Sequence, residues 1–154
     1  MIDVVLTINE AKLAASVGMH RHMEAISHGL PDKHGFTAED GWTIHIQGAA
    51  GEIAAAKALN RYWNGSVNTF KRGGDVGKLQ VRTRSRMDYD LIVRPDDRDS
   101  DVFILVLGGI PSFRVAGWIL GSDAKCEAWL QTHGNRPAAY FVPQESLHRI
   151  RRDK

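Results

Sequence analysis

Apolar residues recur along this chain with two periods. Up to about residue 60 they follow a helical period; from there to about residue 120 they alternate or form short unbroken runs. Met1–Leu6 is apolar enough for a short strand or packed arm. Thr7-Ile8-Asn9-Glu10 then has the form of a capping box. It predicts a helix over about 8–30, carrying Leu13, Val17, Met23, Ile26 and Leu30 on one face and ended by Gly29 and Pro31. Thr37–Asp40 resembles a second helix start. That helix runs to about Asn60, with Trp42, Ile46, Ala50 and Ile53 inward and Gly48, Ala49, Glu52, Ala55, Ala56 and Leu59 on another face.

The strand-forming half begins with Ser66–Phe70. Lys78–Thr83 alternates, sending Lys78, Gln80 and Arg82 one way and Leu79 and Val81 the other. Asp90–Arg94 and Asp101–Leu107 flank the turn-rich link Pro95–Ser100 and read as a hairpin. Val102–Leu107 lacks alternation, as a central strand buried on both faces does. Phe113–Ile119 is a further strand. Ser122–Gln131 reads as a helix capped by Ser122, Ala139–Val142 as a last strand, and Gln144–Ile150 as a helical turn or two. This order predicts an α+β, or mixed α/β, fold with a mainly antiparallel or mixed central sheet flanked by helices.

At 154 residues the chain suits one domain, and 43% hydrophobic with 25% charged residues is an ordinary globular composition. A net charge of +2 is uninformative, but its distribution is not. Lys71, Arg72, Lys78, Arg82, Arg84 and Arg86 stand against the single acid Asp75 in that stretch. Such a cluster is either a solvated face or a phosphate-attracting one. The one cysteine, Cys126, excludes an internal disulfide and reads as a small packed residue. No apolar run approaches membrane-spanning length and no signal-peptide pattern opens the chain, so a soluble, cytoplasmic protein with no membrane partner is expected.

Three further groups could carry chemistry. His20, His22, His28 and His34 lie in or near the first helix, but residues two apart on a helix face different ways and no acid or cysteine completes a zinc set. Asp96, Asp97, Asp99 and Asp101 lack the glycine and late glutamate of a calcium loop and read as a solvated turn. Glu52, taken alone, is a surface glutamate on an Ala-rich helix. Glycines at 48 and 51 disfavour that helix by roughly 1 kcal/mol each, which close approach to a sheet would explain.

Glu52 on a helix, Asp75 flanked by glycines, and Gln80-Val81-Arg82 on the next strand form an ordered set. In this order the sequence resembles the PD-(D/E)xK nuclease superfamily, with its restriction-endonuclease-like fold. The resemblance spans a core of about 37–131 and leaves outside it the first helix and the basic tail of about 149–154. It implies that Asp75 is the motif aspartate, Gln80 stands at the second acidic position, Arg82 at the lysine and Glu52 at the helical acid. It further implies Mg²⁺ or Mn²⁺ held by Glu52, Asp75, Gln80 and the Val81 carbonyl, with Lys57, Lys71, Arg72, Lys78, Arg84 and Arg86 available to nucleic acid. Gln80 lowers the ligand charge, and Arg82 stays protonated and cannot serve as a general base. The function implied is phosphodiester hydrolysis, with DNA ahead of RNA and a homodimer compatible with cutting two strands. A non-catalytic nucleic-acid-binding module and a protein-interaction domain are the alternatives.

Overall fold

The computed structural model describes residues 1–29, 38–67 and 74–150, setting aside the side chains of 38–40. The Ser66–Phe70 strand, the Thr37 helix start, Leu30, Pro31, His34, Lys71, Arg72 and the end of the basic tail lie wholly or partly outside them. Strand β1 (Ile2–Val5) leads into helix α1 (Ile8–Ser27), and α2 (Ala38–Ala58) follows. The capping box at Thr7 forms in both directions: Glu10 N–H donates to Oγ1 at 3.2 Å, and Thr7 N–H donates to Glu10 at 2.6 Å. The face that α1 buries is the small-residue stripe Ala14, Val17, Gly18 and His22, whereas Leu13, Met23 and Ile26 are exposed. Close approach to α2 selects this face over the bulkier one, since a Cβ on Gly18 would overlap the backbone of His45 and Ile46.

Helix α2 is enclosed on nearly every side. Ala49, Ala50, Ile53, Ala54, Ala55, Ala56 and Ala58 are all buried, between α1 and a sheet, while Trp42 is exposed rather than inward. A helix apolar around its circumference is one that packs on two partners. Gly51 explains the glycine content, because a Cβ there would overlap the Thr83 side chain on the sheet. Gly48 meets no neighbour and has no such reason. Gly51→Ala is expected to lower stability by about 1–3 kcal/mol through overpacking, despite its better helix propensity. In a Thr83→Ala background the same change should cost at least about 1 kcal/mol less, as read from urea-unfolding midpoints.

The main sheet joins β1, β2 (Leu79–Arg84), β4 (Val102–Gly109) and β5 (Ser112–Leu120) in the order β1-β5-β4-β2. It is mixed: β4 and β5 form an antiparallel hairpin, whereas β2 runs parallel to β4 with Leu79 beside Val102. A second, antiparallel sheet orders β3 (Leu91–Val93), β7 (Ala139–Val142) and β6 (Leu130–Gln131) as β3-β7-β6. It covers the far face of β4, so that Phe103, Leu105 and Leu107 pack with Leu91, Val93 and Val142. Ile104 and Val106 point the other way into the helices. The unbroken apolar run of β4 thus fills two cores, in an α+β fold with helices packed on a sheet.

Two expected elements form differently. The predicted hairpin of Asp90–Arg94 with Asp101–Leu107 does not pair, because β2 and β5 take both edges of β4 and β3 joins β7 instead. The predicted Ser122–Gln131 helix is a single turn, α3 (Gly121–Ala124), then a 3₁₀ turn at Glu127–Trp129 and β6. Pairing of Leu130 and Gln131 with Tyr140 and Ala139 overrides local helical preference. Lys125 is drawn aside as well, onto the Pro95 and Asp97 carbonyls and the Asp99 carboxylate. Cys126 consequently ends up exposed, not packed. The final helical stretch is likewise short, a 3₁₀ turn at Gln144–Ser146.

Candidate functional site

Asp75 is positioned by a tight reversal rather than by a strand of its own. Val76 and Leu79 form an isolated bridge, with Gly77 at φ 64° in the turn between them. Glycine takes that left-handed conformation without steric cost. Asp75 N–H donates to the Leu79 carbonyl at 2.7 Å. Folding back in this way brings Asp75 Oδ2 to the Val81 N–H at 2.6 Å. Since β2 is an edge strand and a strand residue's N–H and C=O project to the same side, the Val81 carbonyl also projects away from β4 toward Asp75. The second Asp75 oxygen takes no hydrogen bond among the described residues.

Glu52 is buried, at 6% exposure, but it is not alone. Arg21, from α1, donates to both of its oxygens, at 2.6 and 2.9 Å, and the Trp63 indole N–H adds a third bond at 2.8 Å. Arg21 also donates through Nε to the Ser66 carbonyl, tying α1, α2 and the segment after α2 together. Burial works against the Arg21 charge, and the Glu52 carboxylate more than offsets it, so the guanidinium pKa is raised. Sequence reasoning missed Arg21 and Trp63. The signal for Arg21 was its place on the stripe of Ala14, Val17 and Gly18, since a buried carboxylate needs a cation within reach.

Asp75 titrates abnormally. Burial, followed by the negative charge of Glu52, pushes its pKa up to about 6, against the opposing influence of the Val81 N–H, Arg82 and Arg21. Glu52 and Asp75 are therefore close enough to repel.

Register divides the remaining motif residues from Glu52. Gln80 and Arg82 lie beside Phe103 and Leu105, on the face turned from α2, whereas Val81 and Thr83 lie beside Ile104 and Val106 and face α2. Each motif residue meets an aspartate of the link before β4. Gln80 Nε2 lies 3.4 Å from Asp101 Oδ2, and Arg82 reaches both oxygens of Asp97 at 3.0 Å while lying over the Phe103 ring. Asp97 and Asp101 are thus partners of the motif strand rather than only a solvated turn. Lys78, Gln80, Arg98, Ser100 and Asp101 line an open depression of about 350 Å³ at this end of the sheet.

The other basic residues scatter. Lys78 is exposed at the depression. Arg84 donates to the Asp90 carbonyl and stacks on Tyr89; burial lowers its pKa. Arg86 also lies over Tyr89 and pairs with Asp88. Lys57 is turned to the start of α1, where it binds the Val5 carbonyl and Glu10, so it is not gathered with Asp75. His22 is buried against Trp42 and lies near His45, with Nε2 unpartnered among the described residues. No three His, Cys, Asp or Glu side chains converge among the described residues. None of the described helices is long and apolar enough to cross a membrane.

As a donor set for a hard divalent cation, Asp75, the Val81 carbonyl and the Gln80 amide are of the right chemistry. Glu52 fits less directly, because three donors already occupy its roughly four acceptor positions. Compared with known proteins, the chain matches no family model, no curated protein and no solved structure.

Proposed function

We propose that this protein is a metal-dependent nuclease of the PD-(D/E)xK type, hydrolysing phosphodiester bonds in DNA ahead of RNA. The observation that carries the reading is Asp75: a half-buried carboxylate bonded to the Val81 N–H, its pKa raised to about 6 by desolvation and then by the Glu52 carboxylate. In this reading Asp75, Gln80 and the Val81 carbonyl hold Mg²⁺ or Mn²⁺, and Glu52 sets the local charge. Bound there, the cation supplies Lewis acidity and a more acidic water. Arg82, always protonated, orients and stabilises charge on phosphate. Lys78 and Arg98 border the depression and attract the backbone.

The test is incubation with single- and double-stranded DNA and RNA in Mg²⁺ or Mn²⁺. Asp75→Ala is expected to reduce cleavage at least about 100-fold, the scale of losing a group that stabilises transition-state charge. Cleavage undiminished in Asp75→Ala protein would rule the assignment out. A second reading, a nucleic-acid-binding module without catalysis, is favoured by the internal pairing of Arg82 with Asp97 and of Glu52 with Arg21. It expects salt-sensitive binding that survives EDTA with no cleavage by any metal.

A further inference from the structure

The depression at the start of β2 is lined without Asp75, and its side chains have the chemistry of an anion seat. Because β2 and β4 are parallel and Leu79 registers with Val102, the residues just before them, Lys78 and Asp101, sit side by side. A turn closed by the Asp101 N–H on the Arg98 carbonyl, at 3.2 Å, brings Arg98 and Ser100 to the same end of the sheet. The backbone under these side chains is held in place. Gly121 N–H donates to the Asp101 carbonyl at 2.8 Å, and Ser122 N–H donates to the Asp99 carbonyl at 2.9 Å. A Cβ on Gly121 would overlap the Arg98 carbonyl, so the contact there is close. Gly74 and Gly77 complete the lining without side chains, which leaves room for a ligand.

Charge decides what such a seat takes. The lining carries two cations, Lys78 and Arg98, against one carboxylate, Asp101, and so has a single positive charge in excess. The other acids of the link leave this balance intact, because Asp97 is engaged by Arg82 and Asp99 by Lys125. Lys78 is exposed and makes no ion pair among the described residues. An ammonium and a guanidinium donate charge-assisted hydrogen bonds to phosphate oxygens, and the Ser100 hydroxyl can add a neutral one. We propose that the depression seats one internal phosphodiester of a nucleic-acid strand, and that Asp101 turns away phosphorylated ends. A bridging phosphate carries a single negative charge, which the excess matches. A terminal phosphate carries about 1.5 to 2 negative charges at pH 7, and Asp101 repels the surplus. The inference rests on the nucleic-acid partner of the nuclease reading, not on its metal chemistry, and it narrows the substrate to the interior of a strand.

Binding is measured by fluorescence anisotropy in EDTA, which keeps cleavage out of the measurement. The competitors are closed circular DNA and its linear counterpart with and without a 5′-phosphate, each single- and double-stranded. The circle, which has no ends, is expected to compete within about threefold of the unphosphorylated linear form, since backbone contacts are shared. Lys78→Ala and Arg98→Ala should each reduce the salt slope of binding by about 0.7–1, and Lys78→Arg, which keeps the charge, should retain it. Asp101→Asn should raise the preference for the 5′-phosphorylated linear form by about two- to fivefold, the scale of one exposed charge pair. A circle that fails to compete with a phosphorylated end overturns the proposal. So does a salt slope indifferent to Lys78→Ala and Arg98→Ala, and neither result touches the cleavage test of Asp75→Ala. An unchanged preference in Asp101→Asn protein refutes the part given to Asp101. Binding that depends on both cations, with no cleavage in any metal, keeps the seat and rejects the nuclease. No nucleic acid bound by wild type overturns both.

Discussion

Arg21→Met is expected to destabilise the protein by about 3–5 kcal/mol, the usual consequence of removing one partner from a buried ion pair. The buried Glu52 carboxylate then keeps, among the described residues, the Trp63 N–H as its remaining side-chain donor. Against a typical total stability of about 5–15 kcal/mol, such a loss can leave a substantial unfolded fraction at 37 °C. The comparison that isolates the charge is Arg21→Met with Glu52→Gln, which removes both ions while keeping side-chain volume. It should recover about 2 kcal/mol or more of the loss. Urea-unfolding midpoints at constant slope measure both. Equal stability of Arg21→Met and wild type would mean that the ion pair contributes nothing.

Asp75→Asn is expected to act in the opposite direction. The folded carboxyl keeps its proton up to a pH of about 6, whereas the unfolded one releases it near 3.8. Between those values the folded state holds more protons than the unfolded state, so stability falls as pH rises. The penalty is absent below the unfolded value and complete above about pH 6, where it reaches up to about 3 kcal/mol. Asparagine removes the charge and retains an oxygen to accept the Val81 N–H. In EDTA the variant should therefore be more stable than wild type at pH 8, with the difference vanishing toward pH 4. A difference independent of pH would show that Asp75 ionisation is not its source.

Local features were legible in the sequence. The Thr7–Glu10 box, the alternation of β2 and the apolar run of β4 each follow from residues within a few positions of one another. The glycine at 51 was legible too, because a costly residue in a helix asks for a close neighbour. What escaped was set by distant contacts. Leu13, Met23 and Ile26 have helical spacing, yet α1 packs through its small residues because α2 approaches too closely for large ones. Residues 122–131 have helix-forming composition, but β7 offers Leu130 and Gln131 a partner that local propensity does not register. For the site, Asp75 and Glu52 stood out as isolated acids. The counter-charge of Glu52 did not, since Arg21 precedes it by 31 positions. The basic stretch overstated its own unity, because Arg84 turns to the Asp90 carbonyl and Arg86 to the Asp88 carboxylate.

The tether from α1 to Glu52 has a consequence for where this protein can be divided. The core of the proposed nuclease reading starts near residue 37, and a fragment cut there would keep Glu52, Asp75, Gln80 and Arg82 but lose Arg21. Two mutually repelling carboxylates would then share an interior without their guanidinium, and α2 would lose the cover of its second face. The first helix is thus no detachable preface: the folding unit begins before Arg21.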